Sequence, residues 1–86
     1  MMEKKAIVNS ETGIHARPAL TVVKVASKFK SEVLIVKDGN VYNAKSIVAI
    51  MCMAAVKNDE ITIRTNGIDE EEAAVAMVEL IQEGLN

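Results

Sequence analysis

The only His and the only Pro of the chain stand together in Gly13-Ile14-His15-Ala16-Arg17-Pro18, between a strand-like run and a helical one. Pro18 suits a first helical turn, where its missing N–H has no intrahelical partner to lose. It also biases Arg17 away from the α conformation, which leaves His15 and Ala16 both open as the N-cap. His15 therefore sits at a helix mouth. Unpaired N–H groups and the positive end of the helix dipole suit an anion and oppose an imidazolium. The ring keeps a lone pair with which to attack an electrophilic phosphorus. Arg17 adds a planar cation able to grip phosphoryl oxygens with two N–H groups at once. These residue types at this spacing describe a histidine that accepts a phosphoryl group. On spacing alone, the competing reading is an incidental loop histidine beside a solvated arginine.

Extended to Ala19, the same motif resembles the active-site motif of HPr, the histidine-containing phosphocarrier family of the bacterial phosphoenolpyruvate-dependent sugar phosphotransferase system. Lys45-Ser46-Ile47, followed by an apolar run, resembles that family's regulatory serine segment at the family's spacing from the histidine. The likeness continues through Asp59-Glu60-Ile61-Thr62-Ile63 and covers nearly the whole chain. It implies that His15 accepts phosphate at Nδ1 from enzyme I and passes it to sugar-specific transporter A domains, with Arg17 neutralising the phosphoryl charge. It implies a carrier that is a substrate of its partners rather than an enzyme, and no cofactor.

Regulatory phosphorylation is implied at Ser46, with HPr kinase/phosphorylase and catabolite control protein A as the corresponding partners. An HPr-like corepressor or a nitrogen-related paralogue is the alternative within the same resemblance. Members known mainly for regulation lack the active histidine, whereas His15 is present here. Ala49 and Ala54 stand in a segment where many members carry glycine. Alanine favours helix by about 1 kcal/mol per residue over glycine, which predicts a longer, stiffer helix after Ser46.

The elements that must position these residues follow from periodicity. Residues 4–9 alternate Ala6 and Val8 against Lys5 and Ile7, a partly buried first strand. Ala19, Val22, Val23 and Ala26 recur at helical spacing across residues 16–28 and form a core stripe. Leu20 falls outside it, on a flank with Arg17, Lys24 and Ser27, as an exposed apolar residue among cations. Ala16, Leu20, Lys24, Ile47 and Met51 are accordingly the expected partner-binding surface around His15.

Val33-Leu34-Ile35-Val36 reads as a strand with neighbours on both sides, Asp38-Gly39 as a tight hairpin, and residues 41–44 as a short edge strand. Ser46 is placed to N-cap a helix. Residues 47–56 are ten apolar residues without a break, so either one helical face is exposed or the segment leaves helical form early. Asn58-Asp59 supplies a turn and residues 61–64 alternate as a fourth strand. Asp69 is the expected cap of a last helix, in which Glu70, Glu71 and Glu72 complement the dipole. Ala74, Met77, Val78, Ile81 and Leu85 form its stripe, and Gly84 marks its end.

The order βαββαβα implies a two-layer α/β (α+β) domain spanning residues 1–86, with mostly antiparallel pairing and helices on one face. The resemblance adds the strand order 1-4-2-3 and three helices on one side. Half of the 86 residues are apolar but only Phe29 and Tyr42 are aromatic, so the single core is built from aliphatic side chains and Met. A formal net charge of -2 argues against a nucleic-acid backbone as partner. No run reaches the roughly 18 apolar residues of a membrane span, and a cytoplasmic monomer is expected. Cys52 is the only cysteine, which rules out an internal disulfide and, with one His, a recognisable zinc site. It is expected to be a small buried hydrophobe.

Overall fold

Two-residue alternation organises the sheet. In the computed structural model, which describes residues 1–9 and 16–83 apart from the side chains of Ala16 and Arg17, strands β1 (Met2–Ile7), β2 (Glu32–Lys37), β3 (Asn40–Asn43) and β4 (Glu60–Asn66) form one sheet in the order β1-β4-β2-β3. Every pairing is antiparallel. Ile61, Ile63 and Thr65 of β4 and Val33 and Ile35 of β2 turn inward and are buried. The intervening residues face the other way, where Arg64 Nε donates to Glu3 Oε2 at 2.7 Å across the β1–β4 register.

Helices α1 (Ala16–Ala26), α2 (Ile47–Met53) and α3 (Glu70–Glu83) complete the expected order βαββαβα. Ala19, Val22 and Ala26 of α1, Ile50 and Met53 of α2, and Ala73, Met77 and Ile81 of α3 join the inward strand residues in one aliphatic core. Asp38 (φ 52°) and Gly39 (φ 81°) both lie in the left-handed region, as a tight hairpin between right-twisted strands requires. Among the described residues, no helix is long and apolar enough to cross a membrane.

Several boundaries and burials differ from the sequence reading. β1 begins at Met2 and ends at Ile7, because its pairing with β4 runs from Met2 opposite Thr65 to Ile7 opposite Glu60. Val8 then bonds instead to the turn after α2, accepting from Asn58 N at 2.8 Å and donating to Asp59 O at 2.9 Å. Helix α1 stops at Ala26 and continues as a turn through Ser27 and Lys28. Cys52 is exposed rather than buried. A seven-residue helix can bury one face only, and Ile50 and Met53 occupy it. Gly84 and Leu85 lie outside the described residues.

Asp69 precedes α3, but its carboxylate does not cap that helix in the expected way. Oδ1 accepts from Ser31 N at 2.9 Å and from Ser31 Oγ, and Oδ2 accepts from Lys30 N at 3.0 Å. The carboxylate thereby ties the start of α3 to the segment between α1 and β2.

Candidate functional site

His15 lies outside the described residues, as do the side chains of Ala16 and Arg17. What the structure does place is the frame on either side of them. Pro18 and Ala19 are buried, so the first turn of α1 is anchored in the core directly after the His15-Ala16-Arg17 run. On the approach, Asn9 N donates to Ile81 O at 3.3 Å and Asn9 Nδ2 donates to Gln82 O at 3.1 Å. These carbonyls belong to the last turn of α3, where a helix runs out of intrahelical donors. One residue thus satisfies two of them and fixes the point from which residues 10–15 depart.

Past the first turn, Leu20 is 49% exposed and Lys24 is exposed, an apolar residue and a cation on the solvent side of α1. Helix α1 packs against α2. The turn into α2 is built by Asn43, whose Oδ1 accepts from Lys45 N at 2.9 Å and whose carbonyl accepts from Ser46 N at 3.0 Å. Such a side-chain turn is what asparagine offers before a helix. Ser46 is the N-cap, extended at φ -111° and ψ 116°, with Oγ accepting from Ala49 N at 3.3 Å.

Within α2, Ile47 is half-buried and packs on the core, whereas Val48 (68%), Met51 (47%) and Cys52 face solvent. Both outcomes left open for the ten-residue apolar run therefore occur: one face is exposed, and the helix ends after seven residues. Ala54 terminates it in the left-handed region (φ 50°, ψ 41°), its N–H donating to Met51 O at 3.2 Å. The longer helix predicted from Ala49 and Ala54 does not form. Chain reversal after Met53 places Ala55 in the core, and that burial outweighs the helix preference of alanine.

Two features of this frame were missed in the sequence. Lys45 Nζ donates to Phe29 O at 2.8 Å, and Asn9 ties to the end of α3. Each is a long-range bond from a long or polar side chain, and no local period announces it. Leu20, Val48 and Met51 are thus exposed apolar residues, and Lys24 an exposed cation, on two helices that pack together.

The family described as PTS HPr component phosphorylation site matches residues 2–83. The HPr-like protein Crh of Halalkalibacterium halodurans is 44% identical over 82 residues, covering 95% of this chain and 98% of that protein. A phosphocarrier protein HPr from Bacillus anthracis superposes with a TM-score of 0.91 at 41% identity, covering 94% of this chain and 96% of that one. Crh of Bacillus subtilis, described as an intertwined dimer with domain swapping, superposes with a TM-score of 0.78 at 40% identity, covering 96% and 95%.

Proposed function

The chain belongs to the PTS-HPr family, and from that premise we propose that it is a phosphocarrier: His15 accepts a phosphoryl group from phosphorylated enzyme I and donates it to sugar-specific transporter A domains. The observation that carries the reading is the family match across residues 2–83, which includes His15 and Arg17 in the Gly13-Ile14-His15-Ala16-Arg17-Pro18 motif. The imidazole lone pair attacks phosphorus, a P–N bond forms, and the bond to the donor breaks. Arg17 offsets the charge on the phosphoryl oxygens. Transfer of this kind depends on positioning and electrostatics more than on covalent chemistry by the protein. The chain is then a covalent intermediate in its partners' reactions, not an enzyme, and needs no cofactor.

Docking falls to the exposed side of α1 and α2, with Ala16, Leu20, Lys24, Ile47 and Met51 as the contact residues. Exposed methionine and leucine suit a surface that must fit several partners, because they repack readily. The acting unit is a monomer in the cytoplasm.

A second reading is favoured by one observation, the likeness to proteins named HPr-like protein Crh. In it the chain regulates by binding, through phosphorylated Ser46, with HPr kinase/phosphorylase and catabolite control protein A as partners. His15 separates the two, since the regulatory members lack the active histidine. Incubation with phosphoenolpyruvate and enzyme I, followed by intact mass analysis, should add one phosphoryl group that is labile in acid and stable in base, and none to His15→Ala. An unmodified wild-type chain would leave the regulatory reading.

A further inference from the structure

The docking surface is divided between two helices that the chain does not join directly. Between α1 and α2 run β2, the hairpin and β3, so no short loop fixes the spacing of Leu20 from Ile47 and Met51. A charged bond does span the gap. Lys45 Nζ donates to Phe29 O at 2.8 Å in a partly buried position.

Both ends of this bond are themselves held. The Lys45 backbone N–H is fixed by Asn43 Oδ1, and the next residue is the N-cap of α2. Phe29 closes the turn after α1, its N–H donating to Ala26 O at 3.2 Å, and it packs on the core. An ammonium beside carbonyls at the C-terminal end of a helix is also favoured by the helix dipole. Hydrogen bonds with an ionised partner are stronger than neutral ones.

We propose that Lys45 is a positioning residue for partner docking: its ammonium, fastened to Phe29 O, sets α2 against α1 and so the distance between the two halves of the surface, without touching the partner. The docking clause rests on the carrier reading; the positioning clause does not.

The test uses Lys45→Met, which keeps most of the stem and removes the donors, and Lys45→Arg, which restores a cation. In the free protein, NMR resonances of the Leu20, Ile47 and Met51 methyl groups should shift in Lys45→Met and return toward wild type in Lys45→Arg. With phosphorylated enzyme I, Lys45→Met should raise the KM for this chain about 3- to 10-fold and leave kcat unchanged. The ratio of variant to wild-type KM should be the same at low and high salt, because no charge facing the partner is lost.

A raised KM with unmoved methyl resonances, or a ratio that collapses in salt, would mean that Lys45 contacts the partner itself and would overturn the proposal. Unmoved methyl resonances with an unchanged KM would overturn it as well. If the wild type accepted no phosphoryl group, the carrier reading would fall, and the methyl shifts of the free protein would still decide the positioning role.

Discussion

Ser31 and Asp69 hold each other through both backbone and side chain. Ser31 N and Oγ donate to Asp69 Oδ1, and Asp69 N donates back to Ser31 Oγ at 3.1 Å. Gly67 completes the junction by being small. A Cβ there would lie 2.6 Å from Ser31 Oγ and 2.7 Å from its Cα, so backbone as well as hydroxyl would have to move. The junction fastens the start of α3 to the turn that leads from α1 into β2, across a sequence separation of 38.

Strong acid should loosen that junction. Bonding from the Ser31 hydroxyl, then from Lys30 N–H, holds the Asp69 carboxyl down at about 2 against an ordinary 3.8. A depressed folded pKa gives stability that is complete above the unfolded pKa and disappears as protons bind the folded form. The Asp69 contribution is therefore whole above about pH 4 and lost as pH falls toward about 2. Asp69→Asn should melt earlier at neutral pH and lose less of its melting temperature than wild type between those two pH values, read by circular dichroism. Equal acid slopes for the two proteins would refute the assignment.

Ala54 should respond to glycine in the opposite sense from a helical alanine. Its φ of 50° lies where an L side chain costs about 1–2 kcal/mol, while glycine there adds unfolded-state entropy of the order of 0.4–1 kcal/mol. Ala54→Gly should stabilise by up to about 1 kcal/mol, or roughly 4–8 °C in a domain of this size. Ala49→Gly, inside α2, should destabilise by a similar amount. A lower melting temperature for Ala54→Gly would show that the C-cap is not strained.

These positions also mark where the sequence was readable. The alternation of residues 61–64, with Ile61 and Ile63 inward, the Asp38-Gly39 turn, the α1 stripe and the Ser46 cap were legible because each is a local pattern, and the structure has each in place. Residues 47–56 were not, since an unbroken apolar run has no period from which to read a face. The exposure of Cys52 followed from that. Asp69 had the right residue type for a cap, but Ser31, 38 residues away, offered its carboxylate more donors than the helix did. His15 and Arg17 are read as chemistry from types and spacing alone and stay a proposal, since their side chains lie outside the described residues, whereas Lys45 and Asn9 act through partners that only the fold brings near.

Arg17 should matter for transfer and not for folding. In the carrier reading it would lower the energy of the charged state beside a phosphorylated His15, whereas the core of α1 is made by Ala19, Val22 and Ala26. Arg17→Ala should slow phosphoryl transfer from enzyme I by roughly tenfold or more, the cost of taking one charge-assisted hydrogen bond away from the transition state. Its melting temperature should stay within about 2–4 °C, the shift that a change of about 0.5 kcal/mol gives in a domain of this size. Equal damage to rate and stability would indicate a structural arginine.

Reversing the charge of Lys24 tests the docking side. The residue is exposed on α1, the helix that also presents Leu20, so an acidic partner would meet both. Lys24→Glu should weaken binding to enzyme I most at low salt and least at high salt, because screening removes the repulsion. Titration of the labelled wild type with enzyme I should shift resonances of α1 and α2. Shifts confined to α3 would place docking on another face.

Ser46 is the strongest place to ask how charge and fold interact in this chain. Its Oγ already accepts from Ala49 N, and its carbonyl accepts from Ile50 N at 3.1 Å, so the hydroxyl is an acceptor at the start of α2. Aspartate ranks with serine as an N-cap, and negative charge is favoured at that end of a helix. Ser46→Asp should therefore keep or raise the melting temperature. The added charge stands next to Ile47, on the surface assigned to docking, where an acidic partner attracted by Arg17 and Lys24 would be repelled. Charging of His15 by enzyme I should slow, chiefly through KM and less so as salt is raised. Phosphate, with about -1.5 to -2 charges, should act in the same direction and more strongly. A variant that melted early would show that the site cannot carry an anion, and one charged at the unmodified rate would show that Ser46 lies outside the docking surface.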